Sequence, residues 1–271
     1  MAELDGKVAI VTGAGRLRSI GRGAAVGLAR RGCAIVAVGT GRDPSTFPSD
    51  EQEIGWRDVE SVADEVRALG PGALPLVADV SQRDQVERLV ANTLDEFGRV
   101  DFLINNAAAP KGDDRVPLVE LTEEQLRLVM EVKVLGSFFC AQAVTRALIE
   151  QGEGGSIVNV SSIASKRPQA NASAYAAANA ALNALTASLA WELGAHNITV
   201  NSVCPGLAAT SRWDSDLGTS RWDEMVDRRV PLRRATDGDE TGEFIAFLCT
   251  KAGSYINGQA INFDGGVATG Y

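Results

Sequence analysis

Histidine is nearly absent from the chain. His196 is the single one among 271 residues, and it stands in "ELGAHNITV", where a helix gives way to a strand. That leaves little material for a histidine zinc site or a Ser-His-Asp triad, and the position suits a surface or helix-cap residue. Cysteine is sparse too. Cys33, Cys140, Cys204 and Cys249 lie far apart and form no CxxC pair, which reads as reduced, buried thiols of a cytoplasmic protein. Positive charge is short: 26 Lys and Arg face 35 Asp and Glu, a net charge of −9. Backbone phosphates need basic patches, so nucleic acid is not an expected partner. No apolar run reaches membrane-spanning length, so no membrane is expected. The start, "MAELDGKVAIVTGAG", goes straight into a strand with no basic-plus-apolar leader.

Alternation is what the chain does have. Apolar, β-branched runs such as "KVAIVTGAG", "AIVAVGT", "VDFLINNAA", "GSIVNVSS" and "ITVNSVCPG" are separated by amphipathic stretches. Two of these stretches predict long helices, "TEEQLRLVMEVKVLGSFFCAQAVTRALIE" and the run from Tyr175 to Gly194. Continuous apolar strands between helices predict an α/β fold, a doubly wound parallel sheet covered on both faces. Nothing marks a second domain, so residues 1–271 are expected to form one. Two segments break the rhythm. Residues 41–57 form a long link where a short turn would serve, and residues 208–235, with "SRWD" twice, predict a mobile substrate flap.

The turn "VTGAGRLRSIGRGAA" follows the first strand and opens the first helix. Glycines let a backbone approach a pyrophosphate, and a helix N-terminus offers oriented N–H groups to it. In that turn Gly13, Arg18, Ser19, Ile20 and Gly21 are the candidate phosphate contacts. Cofactor choice turns on the end of the second strand, where an acid would take the ribose 2′-OH of NAD. The segment there reads Val38-Gly39-Thr40-Gly41-Arg42, with no acid in place. Arg42, helped by Arg16 and Arg18, would suit the 2′-phosphate of NADP. The alternative is NAD held through backbone contacts, with Asp43 as the residue that would favour it.

The motifs run in a recognisable order: Thr12 and Gly13, Asp79 and Val80, Asn105 to Ala107, Ser161 and Ser162, Tyr175, Pro205 and Gly206 with Thr210, then "SYINGQAINFDGG". Over nearly its full length the chain resembles the short-chain dehydrogenase/reductases, which have a Rossmann fold. The resemblance implies that Asp79 and Val80 border an adenine, that Asn106 with Ala107 lies beside the cofactor, and that Thr210 reaches the nicotinamide end beyond Pro205 and Gly206. It also implies a homotetramer. The phosphate-binding turn alone departs toward the enoyl-acyl-carrier-protein reductases, with two extra residues and Ser19 at the middle glycine position.

In that family a serine polarises the substrate oxygen, a tyrosine passes the proton, and a lysine one helical turn after the tyrosine tunes it. Ser162 and Tyr175 keep the family spacing. The lysine position is Asn179, and the position usually held by an asparagine, in "VMEVKVLGSFF", is Lys133. The two residue types stand exchanged, so the missing cation is expected from Lys133. A charge about 4 Å from a phenol is worth up to ~4 kcal/mol at an effective dielectric of ~20. Asn179 would then hold a ribose hydroxyl or a relay water.

The expected activity is interconversion of a secondary alcohol and a carbonyl by hydride transfer, with NADP or alternatively NAD, on a small-molecule substrate. Two other readings stay open: a non-redox enzyme on the same scaffold, and a cofactor-binding sensor without turnover.

Overall fold

Val8–Thr12 is a run of five buried residues that pack alternately to two sides, Ala9 and Val11 into one core and Val8 and Ile10 into another. That double burial places this strand, β1, at the centre of a parallel sheet. The computed structural model describes residues 2–269. Along the chain β1 is followed by α1 (Ile20–Ala29), β2 (Ala34–Gly39), α2 (Ser49–Glu53), α3 (Val59–Ala68), β3 (Ala73–Val77), α4 (Arg83–Phe97) and β4 (Phe102–Asn105). Then come α5 (Glu123–Met130), α6 (Gly136–Gln151), β5 (Gly155–Val160), α7 (Ser173–Leu193), β6 (Ile198–Pro205), α8 (Ser220–Arg229), α9 (Gly238–Leu248) and β7 (Ala260–Phe263).

The seven strands are ordered β3-β2-β1-β4-β5-β6-β7, and every pairing is parallel. The order reverses between β1 and β4, and in an open α/β sheet ligands bind in the crevice at such a point, beyond the strand C-termini. One face buries Leu28, Val62, Ile245 and Leu248 from α1, α3 and α9. The other buries Leu89, Val144, Leu148 and Leu193 from α4, α6 and α7. The doubly wound expectation holds.

Helices α1 and α9 meet backbone to backbone at Gly23, Gly238 and Gly242. A β-carbon on Gly23 would fall onto the Gly238 carbonyl, and one on Gly242 onto the Gly23 backbone. Backbone contact of this kind draws α1, and the turn before it, tightly against the sheet.

Three segments carry detail beyond the sequence reading, and one expectation needs correction. The link at 41–57 is not a plain excursion: it contains a 3-10 turn at Pro44–Thr46 and α2, and it buries Phe47, Glu51 and Trp56. Residues 208–235 contain a 3-10 turn at Ser211–Trp213 and helix α8, with Trp213 and Trp222 in ring contact at 5.5 Å between centroids and Trp222 buried. The long helix from 123 to 151 is continuous but interrupted by a π-turn at Glu131–Leu135. By length and composition alone Glu123–Gln151 is apolar enough to cross a membrane, contrary to the expectation that no segment is, although part of that surface packs in the core.

Candidate active site

The strand ends of β1 and β4 are locked together first. Thr12 Oγ1 accepts from the backbone N–H groups of Asn106 and Ala107, both at 3.1 Å, and donates to the Ile104 carbonyl at 3.2 Å. Asn106 Nδ2 donates to the carbonyls of Thr12 and Gly13 at 2.9 and 2.8 Å. Gly13 has φ +66°, and a β-carbon there would lie 2.8 Å from Ala107 Cα. One on Gly21 would lie 2.5 Å from Asn106 Nδ2. Only glycine permits this approach at both positions.

Ser19 caps α1: its Oγ accepts from Arg22 N at 3.1 Å and donates to the Arg16 carbonyl at 2.8 Å. The sequence gives Ser19 as a replaced glycine, and the structure gives it a capping role that leaves the helix N-terminus, with Ile20 and Gly21, facing the crevice. Asp79 accepts from the backbone N–H and hydroxyl of Ser81 after β3, and Val80 is buried against Gly136. Pro205 ends β6, Gly206 N donates to the Phe263 carbonyl at 3.0 Å, and Thr210 is buried at the start of the following 3-10 turn.

The arginines expected to await a 2′-phosphate are all engaged with carboxylates. Arg16 Nε donates to Glu51 Oε1 at 2.9 Å. Arg18 pairs with Asp50 and with Asp214. Arg42 pairs with Asp58 Oδ1 at 3.6 Å and lies over the Phe47 ring. The 41–57 segment supplies two of these four acids, Asp50 and Glu51. It also buries Trp56, whose Nε1 donates to the Gly15 carbonyl at 2.7 Å. Asp58 follows at once, buried, with neither carboxylate oxygen hydrogen-bonded.

Beyond β4 lies a small cavity walled by Ala108, Ala109, Asp114, Lys133, Tyr175 and Arg212 among others. The structure thus brings Lys133 and Tyr175 to one cavity from different helices. Lys133 sits in the π-turn, 4% exposed. π-turns often occur at functional sites, where they re-aim a side chain. Its Nζ donates to the Ala107 carbonyl at 3.2 Å and makes no hydrogen bond to Tyr175. Burial first, and the charge of Arg212 second, push its pKa down to about 7.

Tyr175 is half-buried on the first turn of α7. Two guanidinium groups flank it: Arg115 lies 4.0 Å from the ring centroid and Arg212 5.5 Å. Arg212 also donates to the Ala109 carbonyl at 3.0 Å, and Arg115 pairs with buried Asp114 at 3.6 Å. Sequence reasoning missed Arg115, Arg212 and Asp114. They come from loops without periodicity, and nothing local signals that they converge.

Ser162 and Asn179 are absent from that cavity wall. Ser162 lies two residues past β5, buried, and caps the 3-10 turn Ile163–Ser165, its Oγ accepting from Ala164 N at 3.2 Å. The strand end is tied to α7 by Ser161 Oγ to the Asn179 carbonyl and by Asn183 Nδ2 to Ser165 Oγ. Asn179 turns one end of its amide to its own helix. It is fully buried, its Nδ2 donates to the Tyr175 carbonyl at 2.8 Å, and its Oδ1 has no partner.

This geometry has relatives. The sequence model of the family described as Enoyl-(Acyl carrier protein) reductase matches residues 13–268. Sorbitol dehydrogenase of Cereibacter sphaeroides is 34% identical, over 97% of this chain and 98% of that one. A 2-dehydro-3-deoxy-D-gluconate 5-dehydrogenase of Dickeya dadantii is 35% identical, over 97% and 96%. The solved structure of carveol dehydrogenase from Mycobacterium avium in complex with NAD superposes with a TM-score of 0.86 at 25% identity, covering 98% of this chain and 99% of that one. The chain belongs to the short-chain dehydrogenase/reductase family. It is an NAD(P)-dependent oxidoreductase that interconverts secondary alcohols and carbonyls. The crevice fits a nicotinamide dinucleotide on its own terms: a glycine turn, a capped helix N-terminus and a buried carboxylate without hydrogen-bond partners converge at the sheet's reversal point.

Proposed function

We propose that Tyr175 passes the proton in this oxidoreduction, and that the carbonyl substrate carries an anionic group. When bound, the nicotinamide dinucleotide supplies or takes the hydride. In the reducing direction the Tyr175 O–H bond breaks and its proton forms the new O–H bond on the substrate oxygen, leaving a phenolate. In the oxidising direction the phenolate takes that proton back. Charge develops on the phenol oxygen, and preset cations are what an enzyme uses to stabilise it.

The observation that carries this reading is the pair of guanidinium groups at one half-buried phenol, Arg212 in the same cavity wall and Arg115 over the ring, with the amine of Lys133 in that wall beside them. Lys133 serves by proximity and not by a direct bond. Arg115 and Arg212 add charge that the sequence expectation lacked. Ser162, at the strand end tied to α7, orients the substrate oxygen. Asn179 braces the helix at the Tyr175 carbonyl and is given no ribose contact.

The same cations outnumber the acids. Asp114 is the one carboxylate in the cavity wall, against Lys133 and Arg212, with Arg115 adjoining. A chain of net charge −9 has gathered positive charge here, which favours a carboxylate-bearing substrate over a neutral polyol. Among the relatives, the sugar-acid dehydrogenase fits that chemistry better than the sorbitol enzyme. With Arg16, Arg18 and Arg42 each paired, NAD is favoured over the NADP expected from sequence. The homotetramer is supported by exposed Leu126, Leu128, Leu135 and Ile149 on the long helix and by exposed Trp191 on α7.

Tyr175→Phe tests the reading. Turnover is expected to fall about 10²- to 10⁴-fold, the usual share of general acid–base catalysis, with dinucleotide binding intact. Unchanged turnover would end it.

A further inference from the structure

We infer that Asp58 is the acceptor for the adenosine ribose hydroxyls, and so the residue that selects NAD. The inference rests on the nicotinamide-dinucleotide reading of the crevice and deepens it. In a dinucleotide fold the ribose acceptor is ordinarily an acid at the end of the second strand. Here β2 ends in Gly39, and Asp58 arrives from elsewhere, at the N-terminal end of α3.

Its carboxylate lies between the phosphate-binding turn and the end of β2. A β-carbon on Gly15 would fall onto that carboxylate, and one on Gly39 would come within 3.1 Å of its Oδ1. Ala14 N donates to the Val38 carbonyl at 3.0 Å, which holds those two backbones side by side. The missing acid would occupy this same place.

Asp58 is built as a functional residue and not as a structural one. Its side chain is 9% exposed, and neither oxygen accepts a hydrogen bond. It stands at the N-cap position of α3 yet makes no capping bond. Arg42, its one ionic neighbour, is 3.6 Å away, too far for a hydrogen bond. A buried carboxylate left in this state is costly unless a ligand satisfies it.

The backbone adds a second cost. Asp58 has φ +53° and ψ −132°, a conformation that glycine adopts readily and an aspartate does not. A strained residue with an unsatisfied carboxylate persists where binding depends on it. The two ribose hydroxyls offer two donors to two free acceptors. A 2′-phosphate would set a dianion against a buried carboxylate, and that repulsion excludes NADP.

The whole chain is titrated with NADH and with NADPH, and binding is read from nicotinamide and tryptophan fluorescence without any substrate. NADH is expected to bind tighter by about thirtyfold or more. Asp58→Asn keeps the shape and removes the charge, and is expected to lose most of that preference. Asp58→Gly removes the carboxylate and relieves the backbone, so it should melt no lower than the parent while losing the same preference. Tighter NADPH binding by the parent, or a preference unchanged in both variants, overturns the assignment alone. If neither nucleotide binds the parent, the dinucleotide reading falls with it.

Discussion

The Arg115 guanidinium lies over Tyr175, 4.0 Å from the ring centroid, and pairs with the Asp114 carboxylate at 3.6 Å. The phenol therefore meets fixed positive charge from a loop, where its own helix offers only Asn179 one turn on. If that charge also reads the substrate, Arg212→Gln should raise KM for 5-keto-D-gluconate by about tenfold and leave L-sorbose unchanged. The two compounds differ by a carboxylate against a hydroxymethyl group. Equal effects on both would remove charge recognition from the account.

Lys133 makes stability depend on pH with a definite sign. Its folded pKa, about 7, lies below the usual lysine value of 10.5 because of burial and Arg212. Between those two values the unfolded chain holds a proton that the folded chain does not, so raising the pH favours folding. Relative to Lys133→Met, the parent should gain stability from pH 7 toward pH 10, by up to roughly 5 kcal/mol, and show no pH-dependent difference below pH 6. Urea unfolding of both proteins across that range measures it. A stability of the parent relative to the variant that stays flat or falls as the pH rises from 7 to 10 would contradict it.

Glu51 fastens the inserted segment to the phosphate-binding turn. It is 1% exposed, and its Oε1 accepts from Arg16 Nε and from Leu17 N, each at 2.9 Å. Glu51→Ala leaves Arg16 without its nearest partner and one backbone donor unmet. A loss of about 3 kcal/mol is expected, with weaker dinucleotide binding as the turn loosens. Denaturation midpoints and nucleotide titrations on the same variant separate the two effects.

The α1–α9 crossing has no room for a methyl group. Gly23→Ala should cost about 3 kcal/mol or more, since its β-carbon meets Gly238 backbone and not a side chain that can turn aside. Gly242→Ala should behave alike, because it meets Gly23. A thermal midpoint within one degree of the parent for either variant would show that the helices separate freely.

Much of this was legible from residues. The strands were, because each is a continuous apolar run, and β1, buried on both faces, can occupy only the middle of a sheet. Tyr175 and Ser162 were singled out by their family spacing; Tyr175 lines the cavity beyond β4 and Ser162 does not. Lys133 was singled out because it stands where the family usually has an asparagine, and it lines one cavity with Tyr175. What stayed hidden arrives by tertiary convergence. Arg42 looked free because the acid that meets it is sixteen residues away, across a segment with no periodicity. Arg115 and Arg212 lie in loops on either side of Tyr175 in sequence, and only folding places both on its ring. Asn179 looked available because a sequence does not show that its amide turns back to its own helix.

The π-turn at Glu131–Leu135 sets a rotational phase. One surplus residue in a helix advances everything after it by about 100°. Val129 ahead of the turn and Cys140, Ala141 and Val144 behind it are all buried. Val129 packs with Ala109, Ala174 and Ala178, whereas Cys140, Ala141 and Val144 join the core that also holds Leu89 and Leu148, so the halves on either side of the turn bury residues in different clusters. Substitution at Lys133 changes a charge, whereas loss of a single residue from this turn would rotate one half of the helix away from the sheet it covers.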